Sequence, residues 1–389
     1  MKRYILFYIN IFFVTALFGQ ATITNSINKS GLDLLQFLNT DTDQNINISP
    51  VSIHRAILIP FLGAKAETKT ALNRIIYVSD IKNLAKQYPL LLQTIQRDIN
   101  ESCKIMIAEK MWIASQLKTQ SAFIKDCEEI NTNIDSVNFT NKPDKIAKHI
   151  NQWVSDNTNN NIEQIIDVKD IDPNTRLIIT NVTYFLGSWA KPFAEVNAVS
   201  NNFITNLSDS VSCTFLSKNL EINMFENDEM QLIDIPYAGN TFSMMLLLPK
   251  KMDSNPIANL VMDSLLAWQQ NFKLQHVKVQ IPKFKIETDL NLKDIYMKMG
   301  IINPFGSEAD FSGITKDEAI FISALLHKST ISVSENGTEA SAATAVIMGR
   351  SVSFNVKNEF TANHPFVYFV KHIQTGTFLF AGVVNNPVK

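Results

Sequence analysis

The stretch "RLIITNVTYFLGSW", from Arg176 to Trp189, is apolar over almost its whole length. A strand with one face in water alternates apolar and polar side chains, whereas a strand covered on both faces is a nearly continuous apolar run. The stretch therefore predicts a long strand inside a large sheet, with other elements packed over both faces of that sheet.

Helical patterns precede this strand, and strand patterns follow it. Apolar residues recur at helical spacing in Ile27–Leu38, Thr68–Ile76, Ile81–Ile99 and Ile146–Asn157. The mostly apolar segment Ser52–Leu62 predicts a buried helix that Pro60 should kink or shorten. Further strands are predicted for Cys103–Ile113, Met230–Tyr237, Thr241–Pro249, His276–Thr288, His364–His372 and Gly376–Val384. This order predicts a mixed α+β domain with large sheets.

Composition and charge narrow the class of protein. The chain has 389 residues, of which 46% are hydrophobic and 19% are charged, as in globular proteins. No tract rich in proline, glycine and serine divides it, so we expect one large domain. The formal net charge is −2. That charge argues against a nucleic-acid partner, because binding to the phosphate backbone needs a basic surface.

The first residues have the layout of a secretory signal peptide. A basic start is followed by the apolar run Tyr4–Phe18 and by the small residues Gly19 and Ala21. A membrane anchor is the alternative, but the run is shorter than the ~20 residues that a spanning helix needs. We therefore expect residues 1–19 to be a signal peptide. Residues 20–389 should form a secreted, extracellular domain without a membrane partner.

Secretion permits disulfides and N-linked glycans. The chain has three cysteines, Cys103, Cys127 and Cys213, so one pair at most can form and at least one thiol stays unpaired. Glycosylation sequons at Asn47 and Asn181 lie in apolar stretches, and we expect them to be buried and unused. The candidate glycosylation sites are Asn28, Asn100, Asn138 and Asn206.

Signatures of enzymes and metal sites are missing from the sequence. We find no HExxH, GxSxG, GxGxxG or CxxC motif, and the six histidines lack the spacing of metal ligands. We therefore expect no enzymatic activity, no metal and no cofactor. A hydrolase stays an alternative because a Ser-His-Asp triad assembles from distant positions, but no motif supports it.

Residues Ser334–Phe354, "SENGTEASAATAVIMGRSVSF", carry small side chains over many positions and then the single basic residue Arg350. With a period of two, Thr338, Ala340, Ala342, Thr344 and Val346 would share one small, uncharged face. Such a segment could enter a packed sheet as a new strand without overpacking it. An alanine-rich helix, which propensity favours, and a flexible loop are the alternatives.

Four long motifs give the chain a resemblance to the serpin family over Ile27–Pro387. They are "NINISPVSIHRAILIPFLGAKAETKTAL", "LIITNVTYFLGSWAKPF", "ISALLHKSTISVSENGTEASAATA" and "FTANHPFVYFVKHIQTGTFLFAGVVNNP". The resemblance implies an α+β serpin fold with three β-sheets, eight to nine helices and an exposed reactive loop. In this chain the loop would span about residues 337–357.

The resemblance also implies a mechanism. A serine protease attacks the reactive loop and forms an acyl-enzyme. The cleaved loop then inserts into the central sheet as an added strand and traps the protease in a covalent 1:1 complex. The protein would thus be a monomeric suicide substrate. A non-inhibitory serpin that carries a ligand or acts as a chaperone is the alternative. Such members usually have bulky, charged or proline residues in the hinge, whereas Thr338, Ala340, Ala342 and Thr344, on the small face of this segment, are none of these.

Several residues acquire roles through the resemblance. The hinge and the inserting segment comprise Glu335, Gly337, Thr338, Glu339, Ala340, Ser341, Ala342, Ala343 and Thr344. The cluster where the sheet opens comprises Ser49, Ser52, Asn181 and His327. Lys283 should pair with Glu335, and Trp189 should lie beneath the entry point of the loop. Asn336 begins a sequon, and we expect it to be unmodified because a glycan there would hinder insertion.

Two positions of the reactive bond, one residue apart, are compatible with the sequence. The usual count from Gly337 places Ser351 before the cut, which favours an elastase-like target. A loop shorter by one residue places Arg350 there. We favour cleavage between Arg350 and Ser351, because Arg350 is the only long basic side chain between Glu339 and Lys357. A trypsin-like protease would then be the partner.

Overall fold

The structure is a computed structural model that describes residues 22–40, 44–78, 81–140, 142–205, 209–252, 255–338 and 358–389. The predicted signal peptide, the sequon at Asn206 and the loop positions 339–357 lie outside these residues.

Eight α-helices lie in the described part of the chain. They are α1 (22–38), α2 (Pro50–Gly63), α3 (Ala66–Ile76), α4 (Ile81–Arg97), α5 (Ser121–Glu129), α6 (Pro143–Asn157), α7 (Met262–Gln270) and α8 (Leu292–Lys298). Helix α2 begins where Ser49 caps it, with Pro50 in the first turn, where a missing N–H costs nothing. Pro60 does not end this helix, which continues to Gly63.

The described residues also form fifteen strands. They are β1 (Ile46–Ile48), β2 (Cys103–Ala114), β3 (Asn133–Val137), β4 (Leu177–Ser188), β5 (Val199–Ile204), β6 (Ser210–Glu226), β7 (Met230–Pro236), β8 (Phe242–Pro249), β9 (Lys273–Pro282), β10 (Phe284–Asn291), β11 (Ala324–Val333), β12 (Gly337–Thr338), β13 (Asn358–Thr361), β14 (Phe366–His372) and β15 (Phe378–Val384).

The six-stranded sheet has the order β10-β11-β12-β4-β2-β3. Strand β4 is the predicted interior strand, and nearly all of its residues are buried. Helix α2 contacts both β2 and β4 and so covers part of one face. The continuous apolar run of β4 is thus explained by its place inside the sheet.

The larger sheet has nine strands in the order β1-β15-β14-β8-β7-β6-β9-β13, with β5 also paired to β6. The serpin resemblance implies three sheets, whereas the described strands form two hydrogen-bonded networks. Strand β6 is the reason, because it is 17 residues long and pairs with β9, β5 and β7. Strand β6 therefore joins, into one hydrogen-bonded network, two groups of strands that a shorter strand would leave as separate sheets.

One predicted strand is divided in the structure. The alternating segment His276–Thr288 belongs to two strands, β9 and β10, which lie in different sheets. The break falls after Pro282, which cannot donate a ladder hydrogen bond. The backbone N–H of Lys283 instead donates to the Thr214 carbonyl oxygen at 2.8 Å. Alternation persists across the break because each strand buries one face.

Buried apolar side chains from Ile23 to Val384 form one cluster that includes both sheets and the helices. None of the described helices has the length and hydropathy needed to cross a membrane. The three cysteines are buried and unpaired, so the disulfide that the sequence permitted is not formed.

We predict that none of the three thiols reacts rapidly with Ellman's reagent in the native protein. Burial raises the pKa of Cys103 to about 11, of Cys127 to about 12 and of Cys213 to about 11. The thiolate is the reactive form, so both access and ionisation are suppressed. Unfolding in denaturant without reductant should release three reactive thiols per chain. A denatured count of one would reveal a disulfide and contradict the structure.

Candidate functional site

The candidate site is the seam between strands β4 and β11 of the six-stranded sheet. These strands are parallel and pair directly, from Ile178 opposite Ala324 to Tyr184 opposite Thr330. Beyond that point the strands part and admit β12, which is antiparallel to both. The seam is therefore closed along most of its length and open at one end.

Strand β12 consists of two residues of the predicted hinge. Gly337 lies opposite Ser188, and Thr338 lies between Gly187 and Val333. Thr338 is fully buried in this position. These two residues of the predicted hinge therefore lie in the sheet, and a continuation of the same strand would run down the seam.

Aromatic residues form the floor beneath β12. The hydroxyl groups of Tyr237 and Thr338 are hydrogen-bonded at 2.6 Å. The Tyr237 ring stacks on that of Trp189, with 4.6 Å between centroids and 6° between planes. The indole N–H of Trp189 donates to the Ser334 carbonyl oxygen at 2.9 Å. Trp189 therefore lies directly beneath the segment that leads into β12.

Backbone contacts fix the hinge in its register. The N–H of Trp189 donates to the carbonyl oxygen of Asn336, and the N–H of Phe193 donates to that of Glu335, both at 2.9 Å. Gly337 has φ +148°, and a Cβ atom there would lie 1.9 Å from the carbonyl oxygen of Gly187. Only glycine fits at position 337, both for its backbone angle and for the close approach of the strands.

The side chains of Lys283 and Glu335 form an ion pair. The Glu335 carboxylate is almost completely buried, whereas the Lys283 side chain is 40% exposed. A carboxylate in this position needs a partner because an unpaired buried charge is strongly destabilising. The pair therefore holds Glu335, two residues before the hinge glycine.

Ser49, Ser52, Asn181 and His327 lie at the closed part of the seam, and all four are fully buried. Asn181 on β4 lies opposite His327 on β11. The Asn181 Oδ1 atom accepts hydrogen bonds from Ser52 Oγ at 3.0 Å and from His327 Nδ1 at 2.5 Å. One hydrogen bond thus crosses the seam, and another ties β4 to helix α2.

The remaining contacts determine the tautomer of His327. The N–H of Ser49 donates to His327 Nε2 at 3.3 Å, so this nitrogen carries no proton. The proton of the neutral ring is then on Nδ1, where it can be donated to Asn181. Burial lowers the pKa of His327 to about 3, so the ring is neutral at physiological pH.

A second polar group extends the cluster and was not predicted from the sequence. Asn47 on β1 donates its side-chain amide to Ser329 Oγ of β11 at 3.1 Å. Its Oδ1 atom accepts a hydrogen bond from Tyr368 at 2.9 Å. Strand β11 is therefore connected to the second sheet, whereas β4 is connected to α2. The sequence signal was Asn47, a polar residue between the two isoleucines of β1.

The glycosylation candidates differ in exposure. Asn28 is buried, donates to the Gly376 carbonyl oxygen and accepts from the Phe378 N–H, each at 2.8 Å. These contacts argue against Asn28 as a glycosylation site, because its side chain stabilises a turn before β15. Asn100 and Asn138 are exposed. The sequons expected to be buried, at Asn47 and Asn181, are fully buried.

The hinge is described only as far as Thr338. Six predicted positions of the inserting segment, Glu339, Ala340, Ser341, Ala342, Ala343 and Thr344, lie outside the described residues. The same holds for the predicted reactive bond between Arg350 and Ser351.

Comparison with known proteins identifies the family. The pattern of the family described as "Serpin (serine protease inhibitor)" matches residues 25–387. Human Serpin B3 is 28% identical, over 94% of this chain and 100% of its own. A serpin-like protein of Thermococcus kodakarensis is 31% identical, over 94% of this chain and 86% of its own. The leukocyte elastase inhibitor of Xenopus tropicalis is 27% identical, over 94% and 99%.

Solved structures share the fold. Human thyroxine-binding globulin matches with a TM-score of 0.85 at 23% identity, over 95% of this chain and 99% of its own. Uncleaved ovalbumin matches with a TM-score of 0.84 at 24% identity, over 94% and 100%. The chain belongs to the serpin family and has the α+β serpin fold. Members of this family are generally protease inhibitors rather than catalysts.

We predict that His327 contributes to acid destabilisation of the protein. Its folded-state pKa of about 3 lies below the ordinary value of 6.5. Between these pH values the unfolded state binds a proton that the native state does not, so stability falls as the pH falls. His327→Gln should reduce the slope of the unfolding free energy against pH by about one proton's contribution.

Urea denaturation between pH 8 and pH 4 measures this slope, with pH values taken on both sides of 6.5. Above pH 7 the curves of the parent and the variant should run parallel, because His327 is neutral in both states. Equal slopes in the acidic range would show that His327 is not the buried neutral group described above.

Proposed function

We propose that this protein is a secreted suicide-substrate inhibitor of trypsin-like serine proteases. The observation that carries the proposal is strand β12, because the hinge residues Gly337 and Thr338 already pair with β4, and Thr338 also pairs with β11. A segment that begins to insert in this way can extend only along the seam. Cleavage of the loop by a protease would release its far end for that extension.

Insertion beyond Thr338 would increase the number of strand pairings. At present the closed part of the seam has one parallel interface, between β4 and β11. An inserted strand would replace it with two antiparallel interfaces, in the register that β12 already has. Antiparallel pairing is also slightly more stable per residue. The additional strand pairing would make insertion irreversible. An acyl-enzyme that hydrolyses more slowly than the loop inserts would then stay trapped.

The register identifies the residue that would reach the polar cluster. Thr344 follows Thr338 by six positions, Asn181 precedes Gly187 by six and His327 precedes Val333 by six. An unbroken antiparallel strand would therefore place Thr344 between Asn181 and His327. Thr344 belongs to the small, uncharged face of the segment. It could replace the hydrogen bond that insertion must break.

Arg350 supports a trypsin-like target. A pocket with a buried carboxylate recognises arginine through charge-assisted, often bidentate hydrogen bonds. Ser351 before the cut is the alternative, and it would favour an elastase-like protease. Three relatives in the family bear the name leukocyte elastase inhibitor, so both target classes belong in the test.

The amino-terminal segment supports an extracellular location. Its basic start, apolar run and small residues are typical of a signal peptide. Comparison of the amino terminus of the secreted protein with that of the precursor tests this part of the proposal. A mature chain that starts after Gly19 or Ala21 agrees with it, and retention of Met1 contradicts it.

Thr338→Arg should convert the inhibitor into a substrate. Thr338 is fully buried against Tyr237, and an arginine there would be buried without a counter-charge, at a cost of several kcal/mol. Insertion would slow, and hydrolysis of the acyl-enzyme would dominate. The stoichiometry of inhibition should rise at least several-fold. Asn336→Arg is the matched control, because Asn336 is exposed, and it should change the stoichiometry little. Equal effects of the two substitutions would show that Thr338 does not belong to the buried face of the inserting segment.

Arg350→Ala should abolish the covalent complex with trypsin-like enzymes. Alanine cannot make the charge-assisted contact that binds arginine in the specificity pocket. Denaturing electrophoresis after incubation with trypsin-like and elastase-like proteases gives the measurement. Ser351→Ala is the matched control and should keep the complex with trypsin-like enzymes.

Mass spectrometry of the released carboxy-terminal fragment determines the cut. A fragment that starts at Ser351 supports the proposed bond. One that starts at Val352 makes Ser351 the specificity residue and contradicts the trypsin-like assignment. Cleavage without any stable complex would contradict inhibition itself.

A further inference from the structure

The hinge contains the single Asn-Gly dipeptide of the chain, Asn336-Gly337. An asparagine before glycine is the kind that most readily loses its side-chain amide, because glycine has no Cβ atom to shield the backbone nitrogen that attacks it. The fold requires the glycine, since a Cβ atom at position 337 would collide with the backbone of Gly187. The chemically sensitive bond therefore lies in the segment that leads into β12.

A tight turn joins β11 to β12 at this dipeptide. The N–H of Ser334 donates to the carbonyl oxygen of Gly337 at 2.9 Å, and the N–H of Gly337 donates to that of Ser334 at 3.3 Å. The second bond is longer than most N–H···O hydrogen bonds and is correspondingly weak. The backbone nitrogen of Gly337 is therefore held only loosely.

Asn336 presents its side chain to solvent, whereas its neighbours Glu335 and Gly337 are buried. The carbonyl oxygen of Asn336 accepts a hydrogen bond from the N–H of Trp189 at 2.9 Å. A hydrogen bond to the oxygen of a peptide group polarises that group, which makes its N–H more acidic. The peptide between Asn336 and Gly337 is thus activated for loss of its proton.

We propose that Asn336 is a site of spontaneous deamidation, which limits the working life of the hinge. The nitrogen of Gly337 loses its proton and attacks Cγ of Asn336, and the side-chain amide leaves as ammonia. The product is a succinimide ring that includes both residues. Water opens the ring at either of its carbonyl carbons and yields aspartate or isoaspartate. Water is the only co-reactant.

The two products differ in their effect on the main chain. Aspartate changes only an exposed side chain. Isoaspartate routes the main chain through the former side chain and so adds one carbon atom before Gly337. The strand has no room for it, because a Cβ atom built on Gly337 already lies 1.9 Å from the carbonyl oxygen of Gly187. Isoaspartate would therefore shift Gly337 and Thr338 out of register with β4.

The functional consequence of this shift rests on the proposed function, because insertion has to begin from the register of β12. A chain with isoaspartate would be cleaved as a substrate, whereas a chain with aspartate would still inhibit. The deamidation itself does not depend on that proposal. Peptide masses and inhibition therefore test the two parts separately.

Peptide mapping of the full-length protein after prolonged incubation in mildly alkaline buffer tests the reaction. The peptide that contains Asn336 should gain the mass difference between an amide and a carboxylic acid. Protein isoaspartate methyltransferase should then methylate it. Asn240 is the internal control, since it is also exposed and lies in the turn between β7 and β8. The β-branched Thr241 follows it and shields the backbone nitrogen, so Asn240 should keep its amide.

Three outcomes would overturn the deamidation site. An intact Asn336 in the folded protein, with loss of its amide only in denaturant, would show that the fold protects the bond. Equal loss of amide from Asn240 would show that the hinge has no special reactivity. A glycan on Asn336 in the secreted protein would block the reaction altogether.

Two variants isolate the effect on the hinge. Asn336→Gln keeps an amide but requires a larger and more slowly formed ring, so this variant should retain its inhibition on ageing. Asn336→Asp carries the charge of the products on an unaltered main chain and, freshly purified, should inhibit like the parent. In the aged parent, the stoichiometry of inhibition should rise in step with the fraction of isoaspartate.

An unchanged stoichiometry at a high fraction of isoaspartate would overturn the effect on the hinge. Loss of inhibition by fresh Asn336→Asp would overturn the assignment of that effect to the main chain. Fresh parent protein that traps no protease would contradict the proposed function instead. The mass of the peptide that contains Asn336 would still decide the deamidation.

Discussion

The hydrogen bond between His327 and Asn181 crosses the seam between β4 and β11 that the proposed inserting strand would enter. Both side chains are buried, and they lie on facing positions of β11 and β4. While the bond is present, the two strands cannot separate at this point. Its loss without replacement would leave buried polar groups unpaired, at a cost of about 1–3 kcal/mol for each. The closed seam is therefore held by a local bond that a suitable new strand can replace.

The open end of the same seam is held by different contacts. Trp189 and Phe193 bind the backbone carbonyl oxygens that precede Gly337, and the ion pair of Lys283 and Glu335 secures the same segment. These contacts keep the hinge aligned with the gap between the strands. These contacts would thus determine the direction and register of the proposed insertion before the loop is cleaved.

Much of this arrangement could be predicted from the sequence. The apolar run Arg176–Trp189 indicated the interior strand, because a strand buried on both faces has a composition that no exposed strand shares. The hinge and the polar cluster were found through long motifs that resemble the serpin family. The nine-stranded sheet was predicted less well, since β6 alternates over only part of its length and its pairing with three strands is a tertiary property.

Other features depended on contacts between residues that are far apart in the chain. Asn28 has the sequon of a glycosylation site, yet its amide stabilises a turn nearly 350 residues later. Arg55 and Glu109 are 54 residues apart and gave no local signal of pairing. A local pattern reports which face of an element is buried. It does not report which polar groups meet inside the core.

The closed seam leaves polar atoms unsatisfied on β4. Asn181 Nδ2 and Thr183 Oγ1 are buried and have no hydrogen-bond partner among the described residues. Both belong to the strand that an inserted segment would contact, and the register places Thr344 beside Asn181. A threonine at that position can both donate and accept a hydrogen bond. Insertion would then add ladder bonds and also satisfy a donor that the uncleaved protein leaves unpaired. The polar cluster that now holds β4 and β11 together would therefore also stabilise the sheet once the inserted strand lies between them.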